Sequence, residues 1–214
     1  MVALARAGMP HDLPGVTTNI ALGDLTLPLP FETDYFDITL CLFGVLNHVP
    51  LPLQPKVARE LARVTLDTCL VTVRTVGSLP TVYVDRLKNA RSYHQDHETN
   101  WLDVDMQDGR CLRFPSRLFS CEDLRKLFAP HLGSIAMFGL DMFHSRFASD
   151  PAWNPARIEG QSAFEEGLLQ LERIYASRPE FIDRAAHILL IGERGEALPA
   201  TMEIFSRGTP SGGH

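Results

Sequence analysis

Residues 22–50, LGDLTLPLPFETDYFDITLCLFGVLNHVP, constrain this chain more than any other stretch. A Gly-Asp pair, Gly23-Asp24, closes one hydrophobic run over residues 17–23. A Pro-rich connection then leads to a second run, residues 36–43, apolar on both of its faces. A strand of that kind is expected in the middle of a parallel sheet covered by helices. It breaks at Gly44 into a loop bearing Asn47 and His48. Loops leaving the carboxyl ends of such strands are where open α/β sheets bind ligands. Asp24 and residues 41–48 are therefore expected on one rim.

Downstream, Pro55 suits the first turn of a helix whose Val57, Leu61 and Val64 repeat at helical spacing, with Arg59, Glu60 and Arg63 toward solvent. A third strand, rich in Val and Thr, spans residues 69–75. Residues 81–93 are expected to be helical. Residues 101–106 and 111–114 alternate around Asp108-Gly109, a favoured pair for a tight hairpin. Ser120 with Asp123 and Ser162 with Glu165 have the spacing of capping boxes that open helices. Residues 135–140 and 187–191 are the last strands, and an aromatic, Pro-punctuated segment at 141–160 separates them.

This ordered punctuation (Gly-Asp, Leu-Pro-Leu-Pro-Phe, Phe-Asp and an apolar strand, Gly-Val-Leu-Asn-His-Val-Pro, a helix ending Glu-Leu-Ala-Arg-Val) resembles the middle of class I S-adenosylmethionine-dependent methyltransferases, in their small-molecule branch. The resemblance covers residues 15–76 well and 119–194 more loosely. It implies a Rossmann-like α/β sheet with strand order 3-2-1-4-5-7-6, whose last two strands form an antiparallel pair. It also implies that Asp24 accepts from the adenine amino group, that the Leu25 N–H contacts the ring beside Gly23, and that Cys41, Leu42 and Phe43 line the cofactor pocket.

The resemblance further calls for a Gly-x-Gly turn between a first strand and its helix, and an acidic residue closing a second strand. No Gly-x-Gly occurs in the 214 residues. The expected architecture is thus a methyltransferase sheet lacking its first two strands, N-terminally truncated, with Met1 an internal methionine of a longer enzyme. A complete chain that has lost cofactor binding is the alternative. The strand over residues 17–23 must then float, re-pair with the exposed edge of residues 36–43, or bind another chain, and an edge left unpaired can join a second copy. The expected organisation is an incomplete domain over 1–194, acceptor-side insertions at 77–119 and 141–160, and a flexible tail at 195–214.

Composition narrows the partners. A net charge of −6 and scattered basic residues argue against a nucleic-acid surface, which needs clustered cations. No segment has the length of a membrane span. The four cysteines show no Cys-x-x-Cys spacing, so reduced thiols in the cytoplasm and no zinc site are expected.

Methyl transfer asks little of side chains, because the sulfonium is already activated and the enzyme mainly aligns donor and acceptor. His48 is the candidate base, since imidazole titrates near neutrality; a loop-orienting histidine is the plainer role. Asp24 equally well heads a turn, as aspartate does routinely. Arg74, Thr75 and Ser78 fall at the acceptor side, where an Arg can pair with a carboxylate or simply brace a sheet edge. Tyr83, Tyr93, His94 and His97 can line an acceptor pocket. His94, Asp96, His97 and Glu98 also imitate metal ligands, but such a charged cluster is more often a solvated face. His144, Arg146 and Asp150 sit in the lid-like segment. The expected function is methylation of a small molecule from S-adenosylmethionine, impaired by loss of the Gly-rich loop. A non-catalytic interaction module that pairs through its sheet edge is the rival.

Overall fold

The structure, a computed structural model, describes residues 22–78, 90–143 and 162–194. Four strands form the main sheet: β1 (Phe36–Cys41), β2 (Thr65–Arg74), β6 (Ser134–Leu140) and β7 (His187–Glu193). Their order is β1-β2-β7-β6, with β1 and β2 parallel and β7 antiparallel to both of its neighbours. Among the described residues this order agrees with the 4-5-7-6 portion of the sheet that the sequence leads one to expect. A second, antiparallel sheet runs β3 (Ala90–Asp96), β4 (Trp101–Met106), β5 (Cys111–Pro115). Helices α1 (Gln54–Val64), α2 (Cys121–Phe128), α3 (Ser162–Tyr175) and α4 (Pro179–Ile182) complete the described elements.

Alternation along the strands divides the main sheet into two unlike faces. On one, Cys41, Cys69, Val71, Val73, Met137, Ile188 and Leu190 are buried with Val57, Ala58 and Leu61 of α1 and Leu124 and Phe128 of α2. The register places Ile38, Leu40, Leu70, Thr72, Leu189, Ile191, Ala136 and Phe138 on the other. None of these is fully buried, and Ile38 and Leu40 are each 59% exposed. Among the described residues, the strand expected in mid-sheet and buried on both faces lies at the end of the sheet, with Ile38 and Leu40 exposed on one face. Its apolar residues are where the sequence puts them, but among the described residues no strand pairs with its outer edge.

Helix α1 passes into β2 without a loop: Val64 is the last helical residue and Thr65 the first of the strand. The Thr65 hydroxyl donates to the Leu61 carbonyl at 2.6 Å and also lies 2.8 Å from the Thr39 hydroxyl, so β2 begins four residues earlier than the Val/Thr-rich run suggests. Glu60 and Arg63 do not face solvent as expected. Glu60 is buried, accepts the Leu29 N–H and binds Arg63, which in turn donates to the Leu29 and Phe31 carbonyls. The Pro-rich connection crosses this side of α1, and its unpaired backbone groups need these partners.

The Asp108-Gly109 hairpin forms as expected between β4 and β5, with Gly109 at φ 86°. Residues 90–93, expected as the end of a helix, belong instead to β3, where β4 supplies the pairing. The capping box of α2 is complete: the Ser120 hydroxyl accepts from Asp123 N and the Asp123 carboxylate accepts from Ser120 N. Residues 17–21 of the expected first strand, the start of the 81–93 helix, residues 144–160 of the expected lid and the tail after 194 lie outside the described residues; Leu22 and Gly23 are not in a strand.

Candidate functional site

The candidate site is the carboxyl rim of β1 and β2. After Cys41 the chain turns through two successive left-handed residues, Phe43 (φ 59°) and Gly44 (φ 70°). A bulky residue in that region costs on the order of 1–2 kcal/mol, so the surroundings must hold it there. Thr72 does so: its hydroxyl accepts from Phe43 N at 2.9 Å and its carbonyl from Gly44 N at 3.2 Å. The Phe43 ring stands 94% exposed. Gly44 has a second constraint, since a Cβ there would lie 3.0 Å from the Asn47 Oδ1.

Asn47 is fully buried and binds like a piece of backbone. Its Oδ1 accepts from Arg74 N at 2.9 Å, and its Nδ2 donates to the carbonyls of Arg74 and Arg117. The amide thereby ties the loop after β1 to the end of β2 and to the segment leading into α2. Arg117 extends this network, donating to Gln54 at the start of α1 at 2.6 Å, pairing with Asp123 at 3.1 Å and stacking on Phe119. Neither Arg117 nor Gln54 stands out in the sequence, because their partners are remote in the chain.

His48 is exposed. Its Nδ1 lies 3.0 Å from the Pro115 carbonyl, and its ring lies 5.6 Å from that of Phe114. A carbonyl only accepts, so this bond places the proton on Nδ1 and leaves the Nε2 lone pair available to a ligand proton. The second sheet therefore orients this imidazole. Arg74 is buried beside Gly44, and its Nη2 donates to Ser78 Oγ at 3.2 Å. The Thr75 hydroxyl is taken by the Ala185 carbonyl, so Thr75 braces the sheet end.

Asp24 heads a turn. Its Oδ1 accepts both from Thr26 N at 2.9 Å and from the Thr26 hydroxyl at 2.7 Å. These bonds, with a smaller contribution from Lys56, hold its carboxyl below the usual carboxylate range. Lys56 also donates to the Thr26 carbonyl, which attaches the turn to the first turns of α1. Leu25 packs against the main core, while Gly23 is exposed with open space where a Cβ would be. Asp24 and the Asn47 network thus both abut the start of α1, one through Lys56 and the other through Gln54.

The three strand-end residues separate. The Cys41 side chain turns into the core, where burial pushes its thiol up to about 11, so only its backbone faces the rim. Leu42 is half-buried, and Phe43 projects. The rim has a further member in His187, whose position follows from topology: an antiparallel strand begins where its parallel neighbours end. It pairs with Arg74 across β2–β7, and burial lowers its pKa, with Asp141 opposing and Arg74 adding to the shift. The Met142 and Phe143 N–H groups are both held by Glu172 of α3.

Of the remaining candidates, Tyr93 and His94 lie on β3, and Asp96 accepts from Glu98 N, Thr99 N and the Thr99 hydroxyl, heading another turn. Among the described residues no three metal-ligating side chains converge, and no helix is long and apolar enough to cross a membrane. Tyr83, His144, Arg146 and Asp150 lie outside the described residues.

Comparison with protein families and with curated proteins finds no match. Among solved structures, the chain is similar to a protein from Pyrococcus horikoshii (11% identity, TM-score 0.46, covering 81% of this chain and 61% of that one). It is also similar to a SAM-dependent methyltransferase, possible histamine N-methyltransferase, from Thermotoga maritima (15%, 0.44, 81% and 62%). A third is a SAM-dependent methyltransferase from Archaeoglobus fulgidus (11%, 0.41, 82% and 67%). The chain spans about three-fifths of the length of the first two.

Proposed function

We propose that this chain carries the later half of an S-adenosylmethionine-dependent methyltransferase that acts on a small molecule. The observation that carries the reading is the strand order β1-β2-β7-β6 with its antiparallel β7, together with a rim that gathers Phe43, Asn47, His48, Arg74 and His187 at one end of the sheet.

The residues present fit one end of the cofactor. The Asp24 carboxylate is exposed, kept ionised by Thr26, and receives both of its turn bonds on one oxygen, which suits acceptance from an adenine amino group. Leu25 and the projecting Phe43 supply apolar surface, with Leu42 beside it. For the ribose and methionine end the fit fails, since the 214 residues contain no Gly-x-Gly turn to approach it. The role assigned to His48 is acceptance of an acceptor proton at Nε2. An oxygen or nitrogen acceptor suits this equally.

The expected behaviour is weak adenosyl binding at the Asp24–Phe43 rim without efficient turnover. In amide NMR, S-adenosylhomocysteine at millimolar concentration should shift residues 24–26 and 42–44 and leave Cys121–Phe128 unmoved. Absence of shifts at 24–26 and 42–44 sinks the reading. Micromolar affinity for S-adenosylmethionine by isothermal titration overturns the impairment.

A further inference from the structure

Residues 24–31 reach the rim with little apolar hold. Leu25 packs against the main core, but Leu27 and Phe31 are exposed. What fastens the segment is a row of charged side chains on α1. Lys56, Glu60 and Arg63 recur at helical spacing on one face, and each binds backbone of the segment. Lys56 Nζ donates to the Thr26 carbonyl at 2.9 Å, and Glu60 Oε2 accepts from Leu29 N at 3.2 Å. Arg63 donates to the Leu29 and Phe31 carbonyls at 3.2 and 2.8 Å, and its own carbonyl accepts from Asp34 N at 2.9 Å.

Glu60 is buried, and Arg63 holds both of its oxygens, at 3.1 and 2.9 Å. This two-point pairing fixes geometry in a way that a solvated ion pair does not. Pro28 and Pro30 restrict the backbone on either side of Leu29 and leave its N–H the one donor in residues 28–30. A stiff segment pinned at its far end also restrains its near end. There the Asp24 carboxylate is held by Thr26 through bonds of 2.9 and 2.7 Å.

We propose that Lys56, Glu60 and Arg63 are positioning residues for purine recognition: they latch residues 26–31 onto α1 and so fix where the Asp24 carboxylate and the Leu25 N–H stand. The proposal rests on the adenosyl reading above and adds to it three side chains that act without touching the ligand. Arg63 is the discriminating member, because its side-chain bonds go to Glu60, Leu29 and Phe31 and not to Asp24 or Thr26. An ion pair that served only the helix would add local stability and leave base preference alone.

Two variants open the latch without leaving a lone buried charge: Lys56→Met, and Glu60→Met combined with Arg63→Met. By amide hydrogen exchange without ligand, the double variant should speed Leu29 about tenfold while Val71 and Val73 exchange as in the parent. In amide-shift titrations the parent chain should prefer adenosine to inosine, which has a carbonyl oxygen in place of the amino group, by about tenfold. Both variants should bring that ratio close to one, and Lys56→Arg, which keeps a donor for the Thr26 carbonyl, should retain it. Should the double variant also loosen Val71 and Val73, Lys56→Met decides by the ratio. Unchanged exchange at Leu29 overturns the latch with no ligand involved. Faster exchange with an unaltered adenosine preference overturns the positioning role. A parent chain whose amides at 24–26 ignore both nucleosides sinks the adenosyl reading itself, and the positioning role with it.

Discussion

On the α1/α2 side of the main sheet, Val71, Val73, Ile188 and Leu190 are each wholly shielded, with Phe128 and Leu124 filling the space between helices and strands. One residue along each strand, Leu70, Leu189 and Ile191 are comparably apolar yet only half-covered, and on β1 Ile38 and Leu40 stand mostly in water. Composition does not separate the two sides; the covering layer does. Helices α1 and α2 pack on this side, so hydrophobic patterning produces a core there, while on the other side the same patterning leaves the described strand residues half-covered or exposed.

The sharpest way to break this contrast is a pair of truncations. Phe128→Ala should cost about 4 kcal/mol in urea unfolding, the range for a large core-to-small change. Leu40→Ala, measured at dilution, should stay within about 0.5 kcal/mol, as surface changes do. Comparable costs would mean that the second side is covered after all. Asn47→Ala should come next, at roughly 2–3 kcal/mol, because it strands the Arg74 N–H and the Arg74 and Arg117 carbonyls in a buried position. A neutral result would detach the rim from the core.

The smallest effect concerns His187, on the half-covered side. Burial keeps its imidazole less basic than the usual 6.5, so below that pH the unfolded chain binds the extra proton more readily. Its contribution to stability is therefore fully present above pH 6.5 and is lost as pH falls through the folded value. His187→Gln should flatten the stability profile just below pH 6.5, while His131, shifted in the same direction, continues to titrate in both proteins. An unchanged slope would show the rim end of this side to be as wet as Leu40.

Much of this was legible in the residues themselves. The Pro55 helix start, the Asp108-Gly109 hairpin and the Ser120 cap are local signals, each satisfied within a few residues, and each formed. The antiparallel closing pair, which the family resemblance implies, formed as well. What could not be read was decided at a distance. Residues 90–93 take strand form because β4 offers a ladder, a tertiary override of local preference. Glu60 and Arg63 are drawn inward by the Leu29 and Phe31 backbone, whose path no local pattern reveals. The apolar character of β1 was plain, but a sequence states which sides are greasy and not what lies against them. At the rim, Phe43, Asn47, His48 and Arg74 could be named in advance, whereas the Asn47–Arg117–Gln54 chain of bonds could not, since each link spans dozens of residues.

The seamless passage from α1 into β2 has an evolutionary consequence. Every other position of the strand points inward, and its phase is set directly by the last helical turn, with no slack to absorb a length change. A single codon inserted at Val64-Thr65 would turn Cys69, Val71 and Val73 outward together. The tip at Asp108-Gly109 could accept the same insertion with little penalty. Homologous genes should therefore vary in length at the hairpin and hold an invariant count across the joint.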